Sequence, residues 1–194
     1  MLDKHSSSAS VRLTPHPKST GRSVRHLEAV ADRESPGRLV LTFRLEGDIG
    51  ALFLPPIAPP HQKDELWHRT CFEAFIRPGP GPGYSEINLS PSSEWAAYGF
   101  VDRRSGMRRI DSPAPETTTS RSESVFTLRA SLDLSSIPSF TTDLPWRVNI
   151  AAVTEDLSGG HAWWALSHPS EAPDFHHPDA FTLLLAPPGA RPEA

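Results

Sequence analysis

The sequence predicts an all-β protein, a two-sheet antiparallel β-sandwich of immunoglobulin-like or jelly-roll-like type. Three observations carry that prediction. Twenty-one prolines and twelve glycines divide the 194 residues into short pieces, and hardly any proline-free stretch could hold a helix of more than about three turns. The remaining pieces alternate apolar and polar side chains with the period of a half-buried strand. Proline, glycine and serine clusters separate them at intervals suited to a sandwich or barrel.

Eight strands are expected. VRHLEAVAD (24–32) and RLVLTFRLEG (38–47) come first. TCFEAFI (70–76), YSEINLS (84–90) and EWAAYGFVD (94–102) follow, joined by the turns RPGPGPG (77–83) and SPSS (90–93) into an antiparallel meander, because proline and glycine cannot continue a central strand. SVFTLRASLDL (124–134), WRVNIAAVTED (146–156) and AFTLLLA (180–186) complete the set. Between them, IDSPAPETTTSRSES (110–124) is a long polar segment that is either mobile or folds over something. One domain spanning 11–186 is expected, with disordered tails at 1–10 and 187–194.

Composition narrows the function. Net charge is −4 with a pI near 6.1, and positive residues gather only in short clusters such as RRSGMRR (103–109), which disfavours nucleic-acid binding. The start, MLDKHSSSAS, lacks the apolar run of a signal peptide and no stretch is apolar enough to span a bilayer, so a cytoplasmic protein without a membrane partner is expected. The single cysteine, Cys71, sits in an apolar strand, where an inert thiol is expected.

Glu73 stands between Phe72 and Ala74 in the middle of an apolar strand. A buried carboxylate needs a partner, a ligand or an open groove. Side chains two apart share a face, so Phe72, Ala74 and Ile76 form one side of their strand and Cys71, Glu73 and Phe75 the other. In the next strand Ser85, Ile87 and Leu89 oppose Tyr84, Glu86, Asn88 and Ser90. In 146–156, Trp146, Val148, Ile150 and Ala152 point to the core, with Arg147, Asn149 and Glu155 on the far side. If the polar faces adjoin, they line a groove with Glu73, Glu86, Asn88, Arg147 and Asn149, in which Arg147 is the expected cation between the two acids. Phe75 and Tyr84 add an aromatic floor, which suits a sugar or another polar ring-shaped ligand.

Five tryptophans are many for this length. Trp146 belongs to the core; Trp67 and Trp95 stand at strand entrances; Trp163 and Trp164 are consecutive, so strand alternation points one in and one out. Any of them beside the groove would be a stacking platform. His168, Asp174, His176, His177 and Asp179 are metal-binding residue types, but their proline-broken spacing fits no standard zinc pattern, and no metal site is expected. No Gly-rich phosphate loop, G-x-S-x-G or H-E-x-x-H occurs. Glu73 and Glu86, on adjacent strands, would serve as the two carboxyl groups of glycoside cleavage at a suitable separation, but nothing local singles them out as catalytic.

The series LWHRTCFEAFI, YSEINLSPSSEWAAYGF, SGM, WRVNIAAV and WWALSHPSEAPDFHHPDAF resembles, in colinear order over residues 11–186, the DOMON-like superfamily, in particular bacterial proteins related to family 9 carbohydrate-binding modules. The resemblance implies a ligand pocket in or beside one sheet of a sandwich, and a binding module more than an enzyme. It also implies two uses of that pocket. Sugar-binding members hold a saccharide between tryptophans with acidic and amide groups nearby, for which this chain offers Trp67, Trp95, Trp163 or Trp164 with Glu73, Glu86 and Asn88. Cytochrome members hold a b-type haem through one methionine and one histidine, for which it offers Met107 and His168. A non-catalytic module for a small polar ligand, most simply a saccharide and without a cofactor, is the expectation; haem binding and glycoside hydrolysis are the alternatives.

Overall fold

The computed structural model describes residues 6–137, 140 and 144–189. Its first strands are β1 (Ser8–Pro15), β2 (Val24–Ser35), β3 (Arg38–Gly47), β4 (Cys71–Arg77), β5 (Tyr84–Leu89) and β6 (Trp95–Phe100). They are followed by β7 (Arg108–Arg109), β8 (Glu116–Arg121), β9 (Val125–Asp133), β10 (Trp146–Glu155), β11 (His161–Ala165) and β12 (Leu183–Leu185). Helix is confined to short 3-10 turns such as Leu66–His68 and Pro178–Ala180. Among the described residues no helix is long and apolar enough to cross a membrane.

The strands form one curled antiparallel path in the order β7-β6-β5-β4-β10-β11-β1-β2-β3-β9-β8, with β12 pairing the start of β10. The expected meander is present, β4 beside β5 and β5 beside β6. β1 turns the path: Ser8 to Leu13 pair with β2, whereas Thr14 and Pro15 pair with β11. The curl brings β3 and β9 over β4, so that the Phe72 ring lies 4.9 Å from Phe43 and 6.1 Å from Phe126. This interior holds Leu27, Leu41, Ala74, Ile87, Trp95, Trp146, Ile150 and Trp164, and its burial drives the curl.

All eight expected strands occur, and the structure adds four. β1 corrects the expected N-terminal tail, because Ser8, Ala9 and Ser10 pair with Asp32, Ala31 and Val30; a ladder needs backbone groups, not apolar side chains. The segment expected to be mobile or folded over something contains β8, an edge strand paired with β9 from Glu116 to Arg121. Its threonines favour extended backbone while its side chains stay largely in solvent. Of the expected tails, residues 1–5 and 190–194 lie outside the described residues, and 187–189 are described without regular structure.

Candidate functional site

The far side of β4, β5, β6, β10 and β11 carries a second cluster: Cys71, Phe75, Tyr84, Ala96, Tyr98, Phe100, Ala151 and Val153. The faces therefore alternate as the sequence indicates, but this one is covered. The segment 172–181 crosses it without joining a ladder, placing Phe175 and Phe181 on the cluster. Two polar contacts hold it there. The Asn149 side-chain amide donates to the carbonyl of Phe175 at 2.9 Å, and Asp174 takes both Arg103 and Arg104.

Beneath the cover lies a cavity of about 460 Å³ lined by Trp67, Glu73, Glu86, Tyr98, Phe100, Arg104, Met107, Val153, Trp163, Pro173, Phe175 and His176. Its acids come from neighbouring strands. Glu73 is paired in register with Asn88, and Glu86 with Phe75, so the two carboxyl groups are diagonal neighbours on one face. Both are buried, at 3% and 5% exposure. Asn88 donates to Glu86 Oε1 at 2.8 Å, whereas Glu73 Oε1 has no hydrogen-bond partner. Burial pushes the Glu73 carboxyl well above its ordinary range, Glu86 adds to the rise and Arg104 opposes it. Burial likewise raises Glu86, to about 7, against the Asn88 hydrogen bond and Arg104.

A hydrogen-bonded chain completes the wall. The Tyr84 hydroxyl accepts the Arg104 backbone N–H at 3.2 Å and lies 2.8 Å from His176 Nδ1. The other ring nitrogen, Nε2, lies 3.8 Å from Glu86 Oε2. Burial lowers the His176 pKa to about 4, with Arg104 adding to the fall, so the ring is neutral at neutral pH. Arg104 occupies the turn between β6 and β7 with φ of 52°, a left-handed conformation unusual for arginine. That strain is offset by its bonds to Asp174, at 3.0 and 3.3 Å, and to Tyr84. Gly106 in the same turn has φ of 62°, and a Cβ there would come within 2.6 Å of Val101.

Of the residues expected at a ligand site, Trp67, Glu73, Glu86 and Trp163 line this cavity. Tyr84 and Asn88 stand behind it, orienting His176 and Glu86. Asn149 anchors the cover. Trp95 and Trp164 are placed in the main core instead, Trp164 donating to Thr154 at 3.1 Å; the one-in, one-out alternation of the WW pair makes Trp163 the cavity residue. Arg147 is exposed beside Arg77 and Leu184, and the cation at the cavity is Arg104, whose guanidinium bonds Asp174 and not the two acids.

Met107 and His168 are not brought together. Met107 is 62% exposed at the rim of the main cavity. His168 lines a separate groove with Thr14, His16 and Lys18, its Nε2 2.8 Å from the Thr14 carbonyl. This pair does not fit axial ligation of one haem iron. Among the described residues no group of three His, Cys, Asp or Glu side chains could hold a metal ion. Cys71 is fully buried, and burial beside Glu73 and Glu86 pushes its thiol up, away from the reactive thiolate.

Sequence reasoning missed Arg104, Tyr98, Phe100, Val153, Pro173 and Phe175 as lining residues. The signal for Phe100 and Tyr98 was their shared face with Tyr84 and Glu86 in the meander. Arg104 and Phe175 come from segments without periodicity, and no local pattern marks them.

No protein-family model and no curated protein matches the sequence. Solved structures do share its fold. A presumed carbohydrate-binding protein from Bacteroides uniformis aligns with a TM-score of 0.63 at 12% identity, over 87% of this chain and 83% of that one. A family 9 carbohydrate-binding module from Caldicellulosiruptor kristjanssonii, in complex with glucose, aligns with a TM-score of 0.51 at 10% identity, over 95% and 87%. At such identities the likeness is one of fold.

Proposed function

We propose that the protein is a non-catalytic module that binds a saccharide in the cavity between Trp67 and Trp163, its fold being the two-layered sandwich of the DOMON-like group related to family 9 modules. One observation carries this reading: the Glu73 carboxyl is buried in the cavity wall with Oε1 unpartnered among the described residues, and a ligand hydroxyl would satisfy it once the side chain turns toward the cavity. The half-buried tryptophans offer faces for the apolar side of a sugar ring. The volume, about 460 Å³, lies within the range of small-molecule sites. The fold neighbours are consistent with this function.

Titration calorimetry with a panel of mono- and disaccharides tests it. Heat of binding for at least one sugar, lost in Trp163→Ala, is expected; silence across the panel overturns the reading. The raised proton affinities of Glu73 and Glu86 favour one competitor, glycoside cleavage by an acid and a base. Release of chromophore from aryl glycosides, abolished by Glu73→Gln, would replace binding by catalysis.

A further inference from the structure

The proposal rests on the saccharide reading and narrows it to a chemical class. Two buried carboxyl groups share one cavity, and among the described residues neither forms an ion pair with a lysine or arginine. The titratable and charged groups around the two acids are Cys71 on β4 and Arg104 from the β6–β7 turn, with Tyr84, Tyr98 and, from the covering segment, His176 on the side of Glu86. Arg104 is the only formal cation lining the cavity among the described residues, and its guanidinium is turned to Asp174, which also takes Arg103. His176 is held neutral. The acids therefore face the cavity without a counter-charge bonded to them.

Around them stand the rings of Trp67, Tyr98, Phe100, Trp163 and Phe175. Trp67 meets Tyr98 edge to face, with centroids 6.1 Å apart. Aromatic faces carry negative potential, and several rings around one volume attract an ammonium group by cation–π interaction. Acids and rings together describe a site for an organic cation. A neutral sugar hydroxyl donates to Glu73 but brings no charge, whereas an ammonium group donates to the ionised carboxylates and supplies the missing charge.

We propose that the occupant is a saccharide bearing a free, protonated amine, held with that amine against Glu73 and Glu86 and its ring between Trp67 and Trp163. Binding then favours the ionised form of carboxyl groups whose charge burial disfavours in the free protein, and up to about one proton leaves for each amine bound.

Calorimetry at about pH 6, where the sugar amine is already protonated and brings its own proton, decides it, with glucosamine and its β-1,4-linked dimer set against glucose, cellobiose and the N-acetylated dimer. The amine-bearing dimer is expected to bind at least ~10-fold more tightly than the other two dimers, because its ammonium group makes a charge-assisted hydrogen bond where they make a neutral one. Its heat should vary with the ionisation enthalpy of the buffer in the sense of proton release. Glu73→Gln should remove the preference and the proton release together. If neutral sugars bind as well as amines with no proton exchanged, this inference falls and the saccharide reading stands. If no sugar of either kind binds, both fall. Should Glu73→Gln not fold, the affinity ratio and proton release of the wild-type protein decide the matter alone.

Discussion

Asn88 stands opposite Glu73 in the β4–β5 ladder, yet its side-chain amide donates to Glu86 on its own strand, 2.8 Å away. The amide opposite Glu73 is thus committed to the other acid. Glu73 is thereby left with an unpartnered Oε1 in an aromatic wall, the feature on which the functional reading rests.

Glu73→Gln is expected to preserve or slightly raise thermal stability at pH 7, because an amide replaces a carboxyl group whose charge burial disfavours. A calorimetric melt reads this directly. A large fall in Tm would identify Glu73 as a structural member of an ionic pair.

Stability should depend on pH through two opposing groups. Glu86 ionises near 4.5 when unfolded and near 7 when folded; between those values the folded state holds the extra proton, so this contribution declines as pH rises through the window. His176 titrates near 6.5 unfolded and about 4 folded. Across that interval the unfolded state holds the extra proton, and stability declines as pH falls. The two slopes partly cancel from about 4.5 to 6.5 in the wild type. Melts of His176→Gln should expose the acid slope, with Tm falling from pH 4.5 to 7, and melts of a Glu73→Gln/Glu86→Gln double variant, which lacks both raised acids, should expose the opposite one. Identical profiles for both variants would show that neither group is buried as described.

The adjacent tryptophans should separate cleanly. Trp164→Ala opens a hole in the main core and is expected to cost about 3–5 kcal/mol. Trp163→Ala removes a cavity wall that is half-buried, with a smaller loss of stability and a large loss of ligand affinity. Denaturant melts beside sugar titrations of the two variants check the division.

Asn149→Ala should loosen the cover. It leaves the Phe175 carbonyl without its 2.9 Å donor, at a cost of about 1–3 kcal/mol. Amide exchange across 172–177 should accelerate while β4, β5 and β10 stay protected; unchanged exchange there would mean that the Asp174 contacts alone hold the segment.

The sheet was legible wherever burial imprinted period two on the sequence. In β4, Phe72, Ala74 and Ile76 read as core and Cys71, Glu73 and Phe75 as the opposite face, and the structure separates them that way. β8 escaped because ETTTSR is exposed along most of its length, and an edge held by backbone bonds leaves no apolar alternation. β1 escaped for a similar reason, its serine-rich start resembling a tail. At the site, both acids and the outward member of the WW pair were readable. The counter-cation was not: Arg147 shares their face by strand parity, but the turn that aims Arg104 at the cavity depends on backbone angles at Arg104 and Gly106 that side-chain periodicity does not encode. The covering segment 172–181 was equally silent, being fixed by Asn149 and Asp174 through contacts distant in sequence.

That covering segment has a consequence for how such proteins diversify. Pro173, Phe175 and His176 reach the cavity from a stretch that contributes nothing to the strand ladders, whereas Glu73, Glu86 and Val153 are built into them. Replacing a strand residue puts packing on both faces at risk; replacing a residue of the cover alters the chamber and spares the scaffold. Selection can therefore retune ligand preference by rewriting about ten residues near the C-terminus, and a laboratory library confined to 172–181 would explore new specificities on an inherited frame.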